Sequence, residues 1–161
     1  MILILAAFLC RIENSLNEKV VEFARSHVGE QVGNGQCTAL AVEALRHSGA
    51  RRRGGRQGVW GDLVESLRDV QPGDILQFEN VLFLSTRLQE DGTPFMRTRL
   101  LPHHTAIVIR VRKRGIRPIL VILHQNVDGS PIVQEWTIDM KEKRRGSVTA
   151  YRPVPERPER D

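Results

Sequence analysis

The longest apolar run, Met1 to Cys10, is ten residues, far short of the roughly 20 that a spanning helix needs. That argues against a polytopic membrane protein. Cysteine is scarce: Cys10 and Cys37 are the whole complement. Two cysteines cannot build a disulfide-dense scaffold, and the absence of a C-x-x-C pair removes the usual zinc motifs. Lysine is almost missing, so the net charge of +5 is carried by arginine. Aromatic residues are sparse and scattered, with none interleaved among the basic clusters Arg51–Arg53, Arg110–Arg117 and Lys141–Arg145. Single-strand nucleic-acid binding, which needs stacking platforms, is therefore disfavoured, and no firm nucleic-acid partner is expected. No fixed-period repeat points to a solenoid or propeller.

What remains is 161 residues with 40% apolar and 27% charged content, the composition of one ordinary globular domain. The basic surface would attract polyanions, including an anionic wall polymer. Residues 1–10 resemble the apolar core of a secretion signal, yet no basic residue precedes them and no small-x-small site follows. They read either as a signal remnant or as a segment packed on the domain. The expected division is residues 1–10, a domain over 11–153 and a flexible tail over 154–161.

Ser15 and Glu18 have capping-box spacing. Leu16, Val20, Phe23, Ala24 and His27 then recur at helical spacing, and the helix should stop near Gly29. A second helix is expected from Cys37 to about His47, after the turn Gly33-Asn34-Gly35. Asp62 to Leu67 reads as a short helix. Beyond the turn at Gln71-Pro72-Gly73-Asp74 the pattern is strands: Ile75–Phe78, Val81–Arg87, Pro94–Leu101, Thr105–Val111, Ile119–Gln125, Val133–Ile138 and Ser147–Tyr151. Helices first and a mostly antiparallel sheet after is an α+β order.

Cys37 opens its helix, where unpaired amides and the positive end of the dipole favour a thiolate. The same amides can donate to an oxyanion. His104 begins a strand and offers a base for a cysteine nucleophile. Alternation along Leu120, Ile122, His124 and Asn126 places the last two on one face and Gln125 on the other. Either His124 or Asn126 would orient the base, as the third group of a triad does. A zinc site at Cys37, His104 and His124 lacks a fourth ligand, and no metal or cofactor is expected.

Gly35-Gln36-Cys37-Thr38, Pro72-Gly73-Asp74-Ile75, His104-Thr105-Ala106-Ile107-Val108 and Leu123-His124-Gln125-Asn126-Val127-Asp128-Gly129, in this order, resemble the CHAP domain, a cysteine, histidine-dependent amidohydrolase/peptidase of the NlpC/P60-like, papain-related group. The resemblance covers residues 15–153. It implies N-terminal helices packed on an antiparallel sheet, Cys37 as nucleophile and His104 as base. The family's Glu-x-Asn pair falls on His124 and Asn126, so the glutamate is replaced by an imidazole. Gln36, or Gln31 six residues before the cysteine, is the candidate oxyanion residue. The function implied is a cysteine peptidase or N-acylmuramoyl-amidase-type hydrolase, acting on peptidoglycan or peptide amides through an acyl-thioester. The alternative is a CHAP-like binding or scaffolding module that has lost turnover. A secreted, periplasmic or envelope location goes with the first reading, with a cytoplasmic one left open, and a monomer is expected.

Overall fold

Residues 15–51 and 58–156 are described by the structure, a computed structural model. Two helices come first, α1 (Leu16–Ser26) and α2 (Cys37–Ser48). Six strands follow: β1 (Asp62–Val64), β2 (Ile75–Leu88), β3 (Pro94–Lys113), β4 (Ile119–His124), β5 (Gln134–Asp139) and β6 (Lys143–Arg152). They form one sheet in the order β1-β6-β2-β3-β4-β5, with every neighbouring pair antiparallel. The expected α+β arrangement is present.

The capping box forms as the spacing predicts. Ser15 Oγ accepts from the Glu18 amide at 3.3 Å, and the Glu18 carboxylate accepts from the Ser15 amide at 2.6 Å. Helix α1 ends at Ser26, before the expected stop at Gly29, and α2 ends at Gly49 in a left-handed cap with φ 76°. Residues 62–67 do not form the expected helix. Asp62–Val64 pairs with the end of β6, and a 3₁₀ turn follows over Leu67–Asp69. A six-residue helix is too short to hold itself, whereas the free edge of β6 supplies a ready ladder.

Four expected strands merge into two. Pro102 lacks an N–H and reads as a strand break, but it falls opposite Asn80, where the β2–β3 ladder skips a pair, so no hydrogen bond is lost. Asn80 is left-handed with φ 51°. Its bulge shifts the side-chain alternation, so that Phe78 and Val81, three residues apart, join the same apolar cluster.

Both faces of the sheet are buried. The helix-facing side packs Val20 and Ala24 of α1 and Leu40, Ala41, Ala44 and Leu45 of α2 against Ile75, Ile107, Ile109, Val121 and Leu123. The outer face gathers Leu76, Phe78, Ala106, Val108, Leu120, Ile122 and Ile138, with Met140 and Trp136 packed over them. The Pro72-Gly73-Asp74-Ile75 motif clasps the two layers. Gly73 has φ 90°, and a Cβ there would lie 2.6 Å from Asn17 Cα, so only glycine lets the turn touch α1. The fully buried Asp74 carboxylate accepts from Asn17 Nδ2, the Gln71 amide and the Arg152 guanidinium.

The first residues of the expected tail are held: Val154 accepts from the Arg51 amide at 2.8 Å, and the Glu156 amide donates to Gly49 at 3.2 Å. Residues 1–14, with Cys10 and the signal-like segment, lie outside the described residues. So do 52–57, with part of the first basic cluster, and 157–161.

Candidate functional site

Cys37 is the first residue of α2, half-buried, behind an N-cap (Gln36) whose side chain does not cap the helix. The turn before it is tight: at Gly35, with φ 77°, a Cβ would come within 2.9 Å of Pro131. Burial raises the thiol's pKa, and the amides of Thr105 and Thr38 pull it down without cancelling that rise.

The residue that β3 presents to Cys37 is Thr105, not a histidine. The reason is alternation. Ile107 and Ile109 pack under the helices while Ala106 and Val108 belong to the outer cluster. Thr105 therefore faces the helices and His104 faces away. His104 instead meets Phe78 and His124 on the outer face, its Nε2 at 2.9 Å from His124 Nδ1. The expected Cys37–His104 pair is thus divided by the sheet.

Behind Thr105 stands a chain of hydrogen bonds whose direction is fixed. Trp60 Nε1 can only donate, so the Gln77 atom facing it at 3.0 Å is the amide oxygen. The Thr105 hydroxyl faces the same oxygen at 2.9 Å and must donate to it. Its single proton is thereby used, and towards Cys37 it can only accept. Threonine has no proton-accepting role in this pH range, and among the described residues no ionisable side chain shifts the Cys37 thiol.

His103 returns to the helix-facing side but is exposed and committed, with Nδ1 2.9 Å from Glu79 Oε1. Gln31 donates to Gly33 at 3.3 Å, within its own turn. Gln36 Oε1 accepts from Asn126 Nδ2 at 3.2 Å, so these two expected residues do meet, at the exposed rim. His124 is fully buried on the outer face, beside Trp136. Burial, with the neighbouring ring and Arg99, lowers its pKa to about 3, and burial with His103 lowers that of His104 to about 4. Both imidazoles are neutral at ordinary pH.

Gln125 was not expected at the site. It is fully buried and binds the loop before Cys37 three times: its Oε1 accepts from the Val32 amide, and its Nε2 donates to the carbonyls of Val32 and Gln36. Its signal was the same alternation that marks Leu123 as helix-facing. Among the described residues no cluster of three or more His, Cys, Asp or Glu could hold a metal, and no helix is long and apolar enough to cross a membrane.

Residues 6–159 match the AIM3/BBC1 cysteine proteinase-fold domain. The chain is also 26% identical over 160 residues to Altered inheritance of mitochondria protein 3 from Debaryomyces hansenii, covering 89% of this chain and 16% of that protein. The chain thus spans about a sixth of the curated relative it matches. No solved structure matches. These findings support the papain-like proteinase fold but not the CHAP assignment. They overturn the expected peptidoglycan hydrolase and its secreted or envelope location, because the relative is a yeast protein named for mitochondrial inheritance.

Proposed function

This chain belongs to the AIM3/BBC1 cysteine proteinase-fold domain family, and from that premise we propose that it is a binding module within a longer protein, keeping the proteinase fold without hydrolysis. The observation that carries the reading is Thr105 in the place where a papain-like enzyme needs its base. A cysteine nucleophile at neutral pH depends on an adjacent base or a lowered pKa. Cys37 shows neither: burial pushes its thiol up, and among the described residues no ionisable side chain offsets that rise. The order of elements, with a helix-borne cysteine ahead of an antiparallel sheet, supports a place for this domain in the NlpC/P60-like branch of the fold.

The test is thiol chemistry. In a Cys10→Ser background, alkylation of Cys37 by iodoacetamide is expected to be slow at pH 6 and to rise steeply towards pH 9, with no cleavage of a mixed peptide-amide library. Fast alkylation at pH 6 together with Cys37-dependent cleavage would overturn the reading. Thr105→His supplies the missing imidazole on the correct face and should raise the pH 6 rate at least about tenfold, by holding a thiolate–imidazolium pair.

A further inference from the structure

The outer face of the sheet carries neighbouring arginines whose charge Asp128 and Glu142 offset only in part. Arg97 and Arg99 lie opposite Ser85 and Phe83 on β3, two residues apart, so both side chains stand on the same face. The Arg99 guanidinium lies 3.6 Å from the Trp136 ring centroid. Among the described residues neither arginine's side chain has a salt bridge or a hydrogen bond. Arg87, on the same face, is paired with Glu142 at 3.0 Å. Arg97 and Arg99 repel each other, and Asp128 and Glu142 act against that repulsion without pairing directly to either guanidinium.

The two arginines line a cavity of about 260 Å³, together with His104, Asn126, Asp128 and Trp136. The volume is at the lower end for ligand sites, which suits a small group rather than a whole cofactor. His104 lines one wall and is held from behind by His124, its Nε2 2.9 Å from His124 Nδ1. A guanidinium offers a planar fork of donors that matches an oxyanion, and two forks suit a group with several oxygens and more than one negative charge. A carboxylate has one charge and two oxygens and would satisfy one arginine. A phosphoryl group carries about −1.5 to −2 and three acceptor oxygens.

We propose that this cavity binds the phosphoryl group of a phosphorylated peptide segment. The acidic residue at its rim decides between possible sources. The exposed Asp128 faces the same cavity. It repels an extended anionic surface such as a phosphoinositide bilayer. It would pair with a basic side chain flanking a phosphorylated residue. The two arginines stand on the face of the sheet opposite Thr105 and Cys37, so the inference does not depend on whether that thiol reacts.

Trp136 is the natural reporter, because Trp60, the other tryptophan, is buried in the helix-facing cluster. Its fluorescence in the full chain is titrated with a lysine-flanked phosphoserine hexapeptide, the unphosphorylated twin, and inorganic phosphate. Co-sedimentation with phosphatidylinositol-phosphate vesicles runs in parallel. The phosphopeptide is expected to bind at least tenfold more tightly than its twin and to be displaced by inorganic phosphate. Arg97→Ala, at an exposed position, should lose about tenfold without unfolding the chain. Arg99→Lys, which keeps the charge but not the fork, should lose severalfold. Asp128→Asn should weaken the phosphopeptide but not inorganic phosphate. Equal binding of the two peptides, or undiminished binding by Arg97→Ala, overturns the site. Vesicle binding without phosphopeptide binding, or an Asp128→Asn variant with unchanged phosphopeptide affinity, overturns the peptide as its source.

Discussion

The two faces of the sheet bury polar side chains in different ways. On the helix-facing side each one is answered. Gln125 makes three hydrogen bonds to Val32 and Gln36, Gln77 joins Trp60 to Thr105, and Asp74 accepts from three elements. On the outer side His104 and His124 share one bond, His124 Nε2 is left without a partner, and Arg99 rests on the Trp136 ring with no salt bridge among the described residues. Complete satisfaction fixes one packing arrangement and stabilises it, whereas groups left open in an otherwise well-paired fold mark places where something else binds. The helix-facing side keeps the proteinase fold, and its buried polar groups hold the loop before Cys37 and the sheet together.

Gln125→Ala attacks the satisfied face where it is strongest. It removes a fully buried amide and leaves the Val32 amide and the carbonyls of Val32 and Gln36 unpartnered. We expect a loss of about 3 kcal/mol in denaturant unfolding. A loss under 1 kcal/mol would mean that water replaces the side chain and that the two faces differ less than the hydrogen bonds imply.

The outer face should respond to acid instead. Both histidines have folded-state pKa values, about 4 and about 3, below the ordinary 6.5. The unfolded chain therefore binds more protons than the folded one below pH 6.5, and stability falls as pH falls from there towards the folded values. The slope is on the order of 1.4 kcal/mol per pH unit for each imidazole that is charged only in the unfolded state. Comparing unfolding at pH 6.5 and 5 for the native chain and for His104→Leu/His124→Leu isolates this contribution. The double variant should lose most of the dependence in that interval. An undiminished dependence would place the acid sensitivity elsewhere.

Much of this was legible from local chemistry. The Ser15–Glu18 cap, the helix opening at Cys37, the clasp motif at Pro72–Asp74 and the antiparallel order all follow from spacing and turn residues. Alternation also placed His124 and Gln125 on opposite faces of β4. What alternation cannot say is which face the helices cover, because a strand buried on both sides is apolar at odd and even positions alike. Thr105-Ala106-Ile107-Val108-Ile109 is such a strand. The imidazole at 104 is the conspicuous candidate for a base, whereas Thr105 and Gln125 carry no comparable chemical signal. Asn80 and Pro102 misled in a related way: each signals a break alone, and only their position opposite one another lets both strands continue.

The smallest effect is expected at Asn126, where the chain leaves β4 after giving one side chain to each face. Its side chain makes one hydrogen bond at the exposed rim, to Gln36 Oε1, and an exposed bond of this kind contributes little. Its backbone is left-handed, with φ 61°, a conformation that asparagine tolerates, glycine adopts freely and alanine resists. The two contributions separate in a pair of substitutions. Asn126→Gly deletes the side chain and keeps the backbone comfortable, so stability should change by no more than about 0.5 kcal/mol. Asn126→Ala deletes the same hydrogen bond and adds strain, so it should cost about 1 kcal/mol or slightly more. If glycine proves as costly as alanine in thermal unfolding, the side-chain bond to Gln36 matters more than the turn. The rim would then belong energetically to the satisfied face of the sheet.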